Sequence, residues 1–129
     1  MAERIAYRGP DDFGVWVDAE AGIALTHRRL AIVDLSPAGH QPMHDAAGTL
    51  SIVFNGEIYN HLSCRKVLAE SGFAVSWKGS SDTETLIEMI SALGLESALK
   101  LTTGMFSLAL WDKVEKKLFL AIDRFGEKP

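Results

Sequence analysis

In this chain of 129 residues the two kinds of apolar periodicity do not alternate. Short β-prone runs lie toward both ends, Phe13 to Val17 with Gly22 to Leu30 and Met105 to Trp111 with Leu118 to Ile122, and Leu50 to Phe54 adds another. The helical spacings are confined to the stretch from Asn60 to Leu101. Strands in sequence-adjacent pairs with helices grouped between them argue against a βαβ wound sheet and for antiparallel sheets covered by helices. Met105 to Leu110 is apolar at every position but Ser107, which predicts a sheet buried on both sides. The expected fold is therefore α+β, a four-layer α/β/β/α sandwich, in one domain over residues 1–129.

Turn and cap residues set the expected boundaries. The N-terminus enters the Arg8-Gly9-Pro10-Asp11-Asp12 turn with no complete element before it, as if the chain began in mid-domain. Asp18 to Gly22 connects the first strand pair, and Asp34 to Met43, with two prolines and a glycine, reads as an irregular loop. Asn55-Gly56 after Leu50–Phe54 is a two-residue hairpin signal, with Glu57-Ile58-Tyr59 as the short return. Asn60 is the expected N-cap of a helix whose face carries Leu62, Cys64, Val67 and Leu68 and which stops at Gly72. Ser81-Asp82-Thr83-Glu84 has capping-box spacing and opens a second helix through Leu86, Ile87, Ile90 and Leu93 to Gly94, with a short helical turn after it to Leu101.

Composition narrows the function classes. Hydrophobic residues make up 47% and charges of both signs are interspersed, as in globular domains. A net charge of -4 and basic clusters no longer than Arg28-Arg29 and Lys116-Lys117 argue against a nucleic-acid partner. No apolar run is long enough for a bilayer span or a signal sequence, and the single cysteine, Cys64, forms no internal disulfide, so a cytoplasmic setting without a membrane partner is expected. Pro42 lies between His40 and His44 and prevents the helix on which that spacing would make a metal pair, so no metal and no cofactor is expected.

On a bland reading Asn55-Gly56 is a turn, Arg29 a solvated strand charge, Glu57 a hairpin end, Asp82 a first-turn acid that favours the helix dipole, and Cys64 a core residue. Five phrases taken together say more. Arg8-Gly-Pro-Asp-Asp, His27-Arg-Arg-Leu-Ala-Ile-Val-Asp34, Phe54-Asn-Gly-Glu-Ile-Tyr-Asn60, Ser81-Asp-Thr-Glu84 and Asp123-Arg-Phe-Gly-Glu-Lys-Pro129 occur in one order. From about Ala6 to Pro129 the chain resembles the class II glutamine amidotransferase domain of glutamine-dependent asparagine synthetases, although Tyr7 stands where that family often has histidine.

The resemblance implies an N-terminal nucleophile (Ntn) hydrolase fold, in which a first-residue cysteine attacks the side-chain amide of glutamine. It implies that Asn55 and Gly56 hold the oxyanion, that Arg29 pairs with the substrate α-carboxylate, and that Asp82 and the region of Glu57 receive the α-amino group. Leu30, Ile32 and Val33 would supply pocket wall and backbone contacts. The family's cysteine precedes the Arg-Gly-Pro-Asp turn, on a first strand that this chain does not contain. The expectation is thus an N-terminally truncated domain that binds L-glutamine or L-glutamate and is inactive alone. Cys64, on an apolar helix face, is no substitute nucleophile. The chain has no Ser-Gly-Gly-x-Asp-Ser pyrophosphate loop, so by itself it is expected neither to bind ATP in the family's manner nor to make asparagine, and a synthetase domain is a candidate partner. The alternative is a non-catalytic amino-acid-binding or protein-interaction module, with self-association through an open sheet edge.

Overall fold

The computed structural model describes residues 2–30 and 39–129. Ala2–Arg8 is a 3-10 segment kinked at Ile5, where the sequence predicted no complete element. It precedes a two-stranded antiparallel sheet, β1 (Asp12–Asp18) and β2 (Ile23–Arg29), paired from Asp12↔Arg29 to Asp18↔Ile23. A four-stranded antiparallel sheet follows, in the spatial order β3 (Met43–His44), β4 (Leu50–Ile58), β5 (Gly104–Asp112) and β6 (Lys117–Ile122). Between β4 and β5 the chain forms α1 (His61–Glu70), α2 (Asp82–Leu93) and α3 (Leu95–Leu101).

The expected hairpin at Asn55-Gly56 is not formed. β4 runs through both residues to Ile58 and pairs with β5 from Leu50↔Asp112 to Ile58↔Gly104. Pairing along the longer strand overrides the local turn signal, because it completes the ladder and buries Ile58 at 1% exposure. Glycine at position 56 serves this packing: its φ is +156°, and a Cβ there would lie 2.1 Å from the Met105 carbonyl oxygen.

The helices cover one face of the larger sheet. Ile52, Phe54, Ile58, Leu108 and Leu110 pack with Leu68, Leu86, Ile87 and Ile90 in one core. Each such side chain stabilises the fold by about 1.5–3 kcal/mol relative to exposure. Cys64 and Leu68 point into this core, whereas Leu62, expected beside them, is 63% exposed. α1 ends in a Schellman motif: Phe73 N–H donates to Leu68 O, Gly72 N–H donates to Ala69 O, and Gly72 takes φ +85°.

Two caps differ from expectation. Asn60 makes no side-chain cap; its amide donates to Leu101 O and its carbonyl accepts Thr103 N–H, joining α1 to the start of β5. Ser81 does cap α2, through Thr83 N–H, but Glu84 does not reach back to it. Glu84 instead accepts the N–H groups of Lys78 and Gly79, so the preceding loop is held where a capping box would have closed.

The two-stranded sheet packs over part of the other face of β4 and β5. Trp111 Nε1 donates to Asp18 Oδ2, Trp16 meets His44 edge-on, and His27 reaches Phe54 O. The covering is incomplete: Phe106, Leu108 and Leu110 are buried on the helix side of β5, while Ser107 and Ala109 opposite are half-buried. Phe13, Val15 and Val17 on the outer face of β1 are exposed. Among the described residues all α-helices lie on one side, giving layers α/β/β; the second helical layer of the expected sandwich is not among them.

Candidate functional site

Where β2, the far half of β4 and the N-terminus of α2 meet, they enclose a cleft of about 520 Å³. That is within the range of small-molecule sites. Arg29, Leu30, Asn55, Gly56, Glu57 and Asp82, dispersed in sequence, all line it. Ile32 and Val33 lie outside the described residues.

The backbone of β4 explains what faces this cleft. Phe106, opposite Gly56, directs its own N–H and C=O to Asp123: the N–H donates to Oδ2 at 3.0 Å and the C=O accepts Asp123 N–H at 2.8 Å. In an antiparallel ladder the peptide groups alternate in direction, so those of Phe54, Gly56 and Ile58 point away from β5. Phe54 N–H donates to Gln41 Oε1 at 2.6 Å, and Ile58 N–H donates to Asp82 Oδ2 at 2.8 Å. Gly56 N–H lies between these two anchored neighbours and is directed into the cleft, a geometry suited to a developing negative oxygen.

Asp82 is buried and its place is fixed by backbone donors, with Thr83 N–H at 2.8 Å from Oδ1. The loop before it is clamped by Arg65, whose guanidinium stacks over the Trp77 ring at 3.8 Å and donates to Thr85 Oγ1, Gly79 O and Ser81 O, with Glu84 Oε2 at 3.5 Å. Nothing in the sequence near Arg65 marks this role, because its hydrogen-bond partners are 14 to 20 residues away.

His27 and Gln41 also line the cleft and were not picked out from the sequence. His27 Nε2–H donates to Phe54 O at 3.0 Å. Burial lowers its pKa, and the bond to Phe54 opposes that only in part. Its signal was legible: His27 is two residues from Arg29, on the same face of one strand. His40 and His44 diverge, the first pairing with Asp12 at 2.7 Å and the second bonding Ser51 Oγ at 2.8 Å.

Cys64 is buried in α1 outside the residues lining this cleft, and burial pushes its thiol pKa up, away from the thiolate that a nucleophile needs. Asp123 closes the end of β6: it accepts N–H groups from Phe106, Phe125 and Glu127, and although burial raises its pKa these bonds outweigh it and hold the carboxyl low. An adjoining groove of about 460 Å³ runs between β2 and the uncovered face of β4 to β6. Among the described residues no aspartate, glutamate or arginine side chain lines it.

The glutamine amidotransferase domain family matches residues 1–129. Asparagine synthetase [glutamine-hydrolyzing] 2 of Bacillus subtilis (strain 168) is 40% identical over 129 residues, covering all of this chain and 16% of that protein. Amidase chry2 of Gibberella zeae is 40% identical over 124 residues, 96% of this chain and 18% of that one. The chain thus spans less than a fifth of the length of these relatives. Among solved structures, glutamine phosphoribosylpyrophosphate amidotransferase from B. subtilis, complexed with ADP and GMP, superposes with a TM-score of 0.66 over 82% of this chain and 24% of its own, at 22% identity, which supports the Ntn-hydrolase type of fold. With a family match along its whole length and an antiparallel α+β fold of the same type, the chain belongs to the glutamine amidotransferase domain family and is homologous to that domain of glutamine-hydrolysing asparagine synthetases.

Proposed function

We propose that the cleft binds L-glutamine, with L-glutamate as the related product-like ligand. The observation that carries this reading is the convergence of Arg29, Asn55-Gly56 and Asp82 on one cleft from three separate elements. An α-amino-acid zwitterion carries both charges on groups of one carbon and needs a cation and an anion held a few ångströms apart. Arg29 pairs with the α-carboxylate through its planar fork. Asp82, with Glu57 at the cleft wall, receives the α-ammonium. The Asn55 side-chain amide and Gly56 N–H face the side-chain carbonyl, where they would stabilise an oxyanion. One such donor is worth about 2.7–4 kcal/mol in a transition state.

Binding and reaction are separate in these 129 residues. Their single cysteine is Cys64, which is buried with its thiol pKa raised, so the chain by itself binds glutamine without hydrolysing it. Joined to a nucleophile and a synthetase domain, the same cleft would deliver ammonia to an acceptor. A reducing, cytoplasmic setting suits the unpaired cysteine.

Titration calorimetry of the folded chain with L-glutamine tests the reading, alongside an assay for released ammonia. Millimolar binding that Arg29→Ala abolishes, with no ammonia formed, is the expected result. No binding, or equal binding by the variant, would refute the site; ammonia release that survives Cys64→Ala would refute the claim that reaction is absent.

A further inference from the structure

Gly39 is buried beside the cleft and lines it, yet its φ is not in the left-handed region, so backbone conformation does not require glycine there. What surrounds it does. A Cβ at position 39 would lie 2.0 Å from Nη2 of Arg29, 2.5 Å from Cζ and 3.0 Å from Nη1. At Gly9, Gly14, Gly56 and Gly104 the nearest atom to an added Cβ is backbone; at Gly39 all three nearest atoms belong to one guanidinium.

We propose that Gly39 is a positioning residue for Arg29, its missing side chain forming the seat in which the guanidinium lies and from which it meets the ligand carboxylate. This rests on the reading of the cleft as a glutamine site. A bidentate carboxylate pair demands a fixed plane and direction as well as a charge, so displacement by one methyl group disrupts it. Arginine is long and flexible, and the added methyl would push it aside without deforming the sheets. Position 39 therefore acts on carboxylate recognition and leaves stability nearly unchanged.

The test compares the wild-type chain with Gly39→Ala and Arg29→Ala, using L-glutamine and 4-aminobutanamide, the analogue that lacks the α-carboxylate. Thermal melting and the Arg29 Nε–Hε NMR signal are followed in parallel. Gly39→Ala is expected to melt as the wild type does, to shift the Arg29 signal, and to weaken glutamine about tenfold or more. Its affinity for 4-aminobutanamide, which is already weaker than glutamine's in the wild type for want of the carboxylate, should stay at the wild-type value. An Arg29 signal unmoved by Gly39→Ala overturns the inference with or without ligand, as does an equal loss for both ligands, which marks general damage. If Arg29→Ala abolishes glutamine binding while Gly39→Ala binds normally, the cleft reading stands and the role of Gly39 falls. If neither variant changes glutamine binding, the cleft reading itself fails.

Discussion

Asp82 Oδ2 accepts the N–H of Ile58 at 2.8 Å, so the first residue of α2 is fastened to the last residue of β4. The same carboxylate lines the cleft. One side chain therefore both closes the fold and presents a negative charge to a ligand, and substitutions can separate the two.

Asp82→Ala leaves the buried Ile58 N–H without its acceptor and should cost about 1–3 kcal/mol in urea denaturation. Asp82→Asn keeps one oxygen, which can serve Ile58 while Ser81 Oγ still accepts Thr83 N–H, and should cost less. Both should lose glutamine binding in calorimetry, since both remove the charge. Retained affinity in the asparagine variant would show that the carboxylate does not receive the ammonium group.

The contrast between Gly56 and Gly39 is one of neighbours. At Gly56 an added methyl meets the Met105 carbonyl in a paired strand, which has nowhere to go. Gly56→Ala should destabilise the chain by about 3 kcal/mol, at the upper end for overpacking. Chemical denaturation with an unchanged m-value is the check.

Arg65 makes its bonds from α1 to the loop and helix that carry Asp82. Arg65→Ala should cost about 1.5–3 kcal/mol, the scale for hydrogen bonds to a charged group. Arg65→Lys should regain only part of this, because an ammonium cannot span three acceptors and stack on Trp77 at once. Full recovery in the lysine variant, measured by denaturation, would reduce the clamp to simple charge pairing with Glu84.

His27 makes stability depend on pH with a definite sign. Burial, the larger influence, lowers its folded pKa below the ordinary 6.5, despite the bond to Phe54 O. The unfolded chain then binds more protons than the folded one between those two values, so the His27 contribution is full above about 6.5 and is lost as pH falls toward the folded pKa. His44 is shifted the same way by burial, with Lys113 adding to it. His27→Gln should therefore be less sensitive than the wild type to a drop from pH 7.5 to 5.5, with the His44 effect common to both. Equal slopes in paired denaturation curves would contradict this.

The sequence by itself determined the class of the fold and the chemistry available to the site. Non-alternating periodicities required antiparallel sheets, Gly72 and Gly94 ended helices where predicted, and the phrases around Arg29, Asn55 and Asp82 marked residues that do line one cleft. Only the tertiary structure decided that Asn55-Gly56 is strand and not turn, because a local dipeptide preference is small beside a paired, buried ladder. It likewise decided where the Gly56 N–H points, since that depends on Phe106 turning its peptide groups to Asp123 on the opposite side. Arg65 and Gly39 were illegible for the same reason: what gives each its role lies 10 or more residues away, in contacts that periodicity and local propensity do not encode.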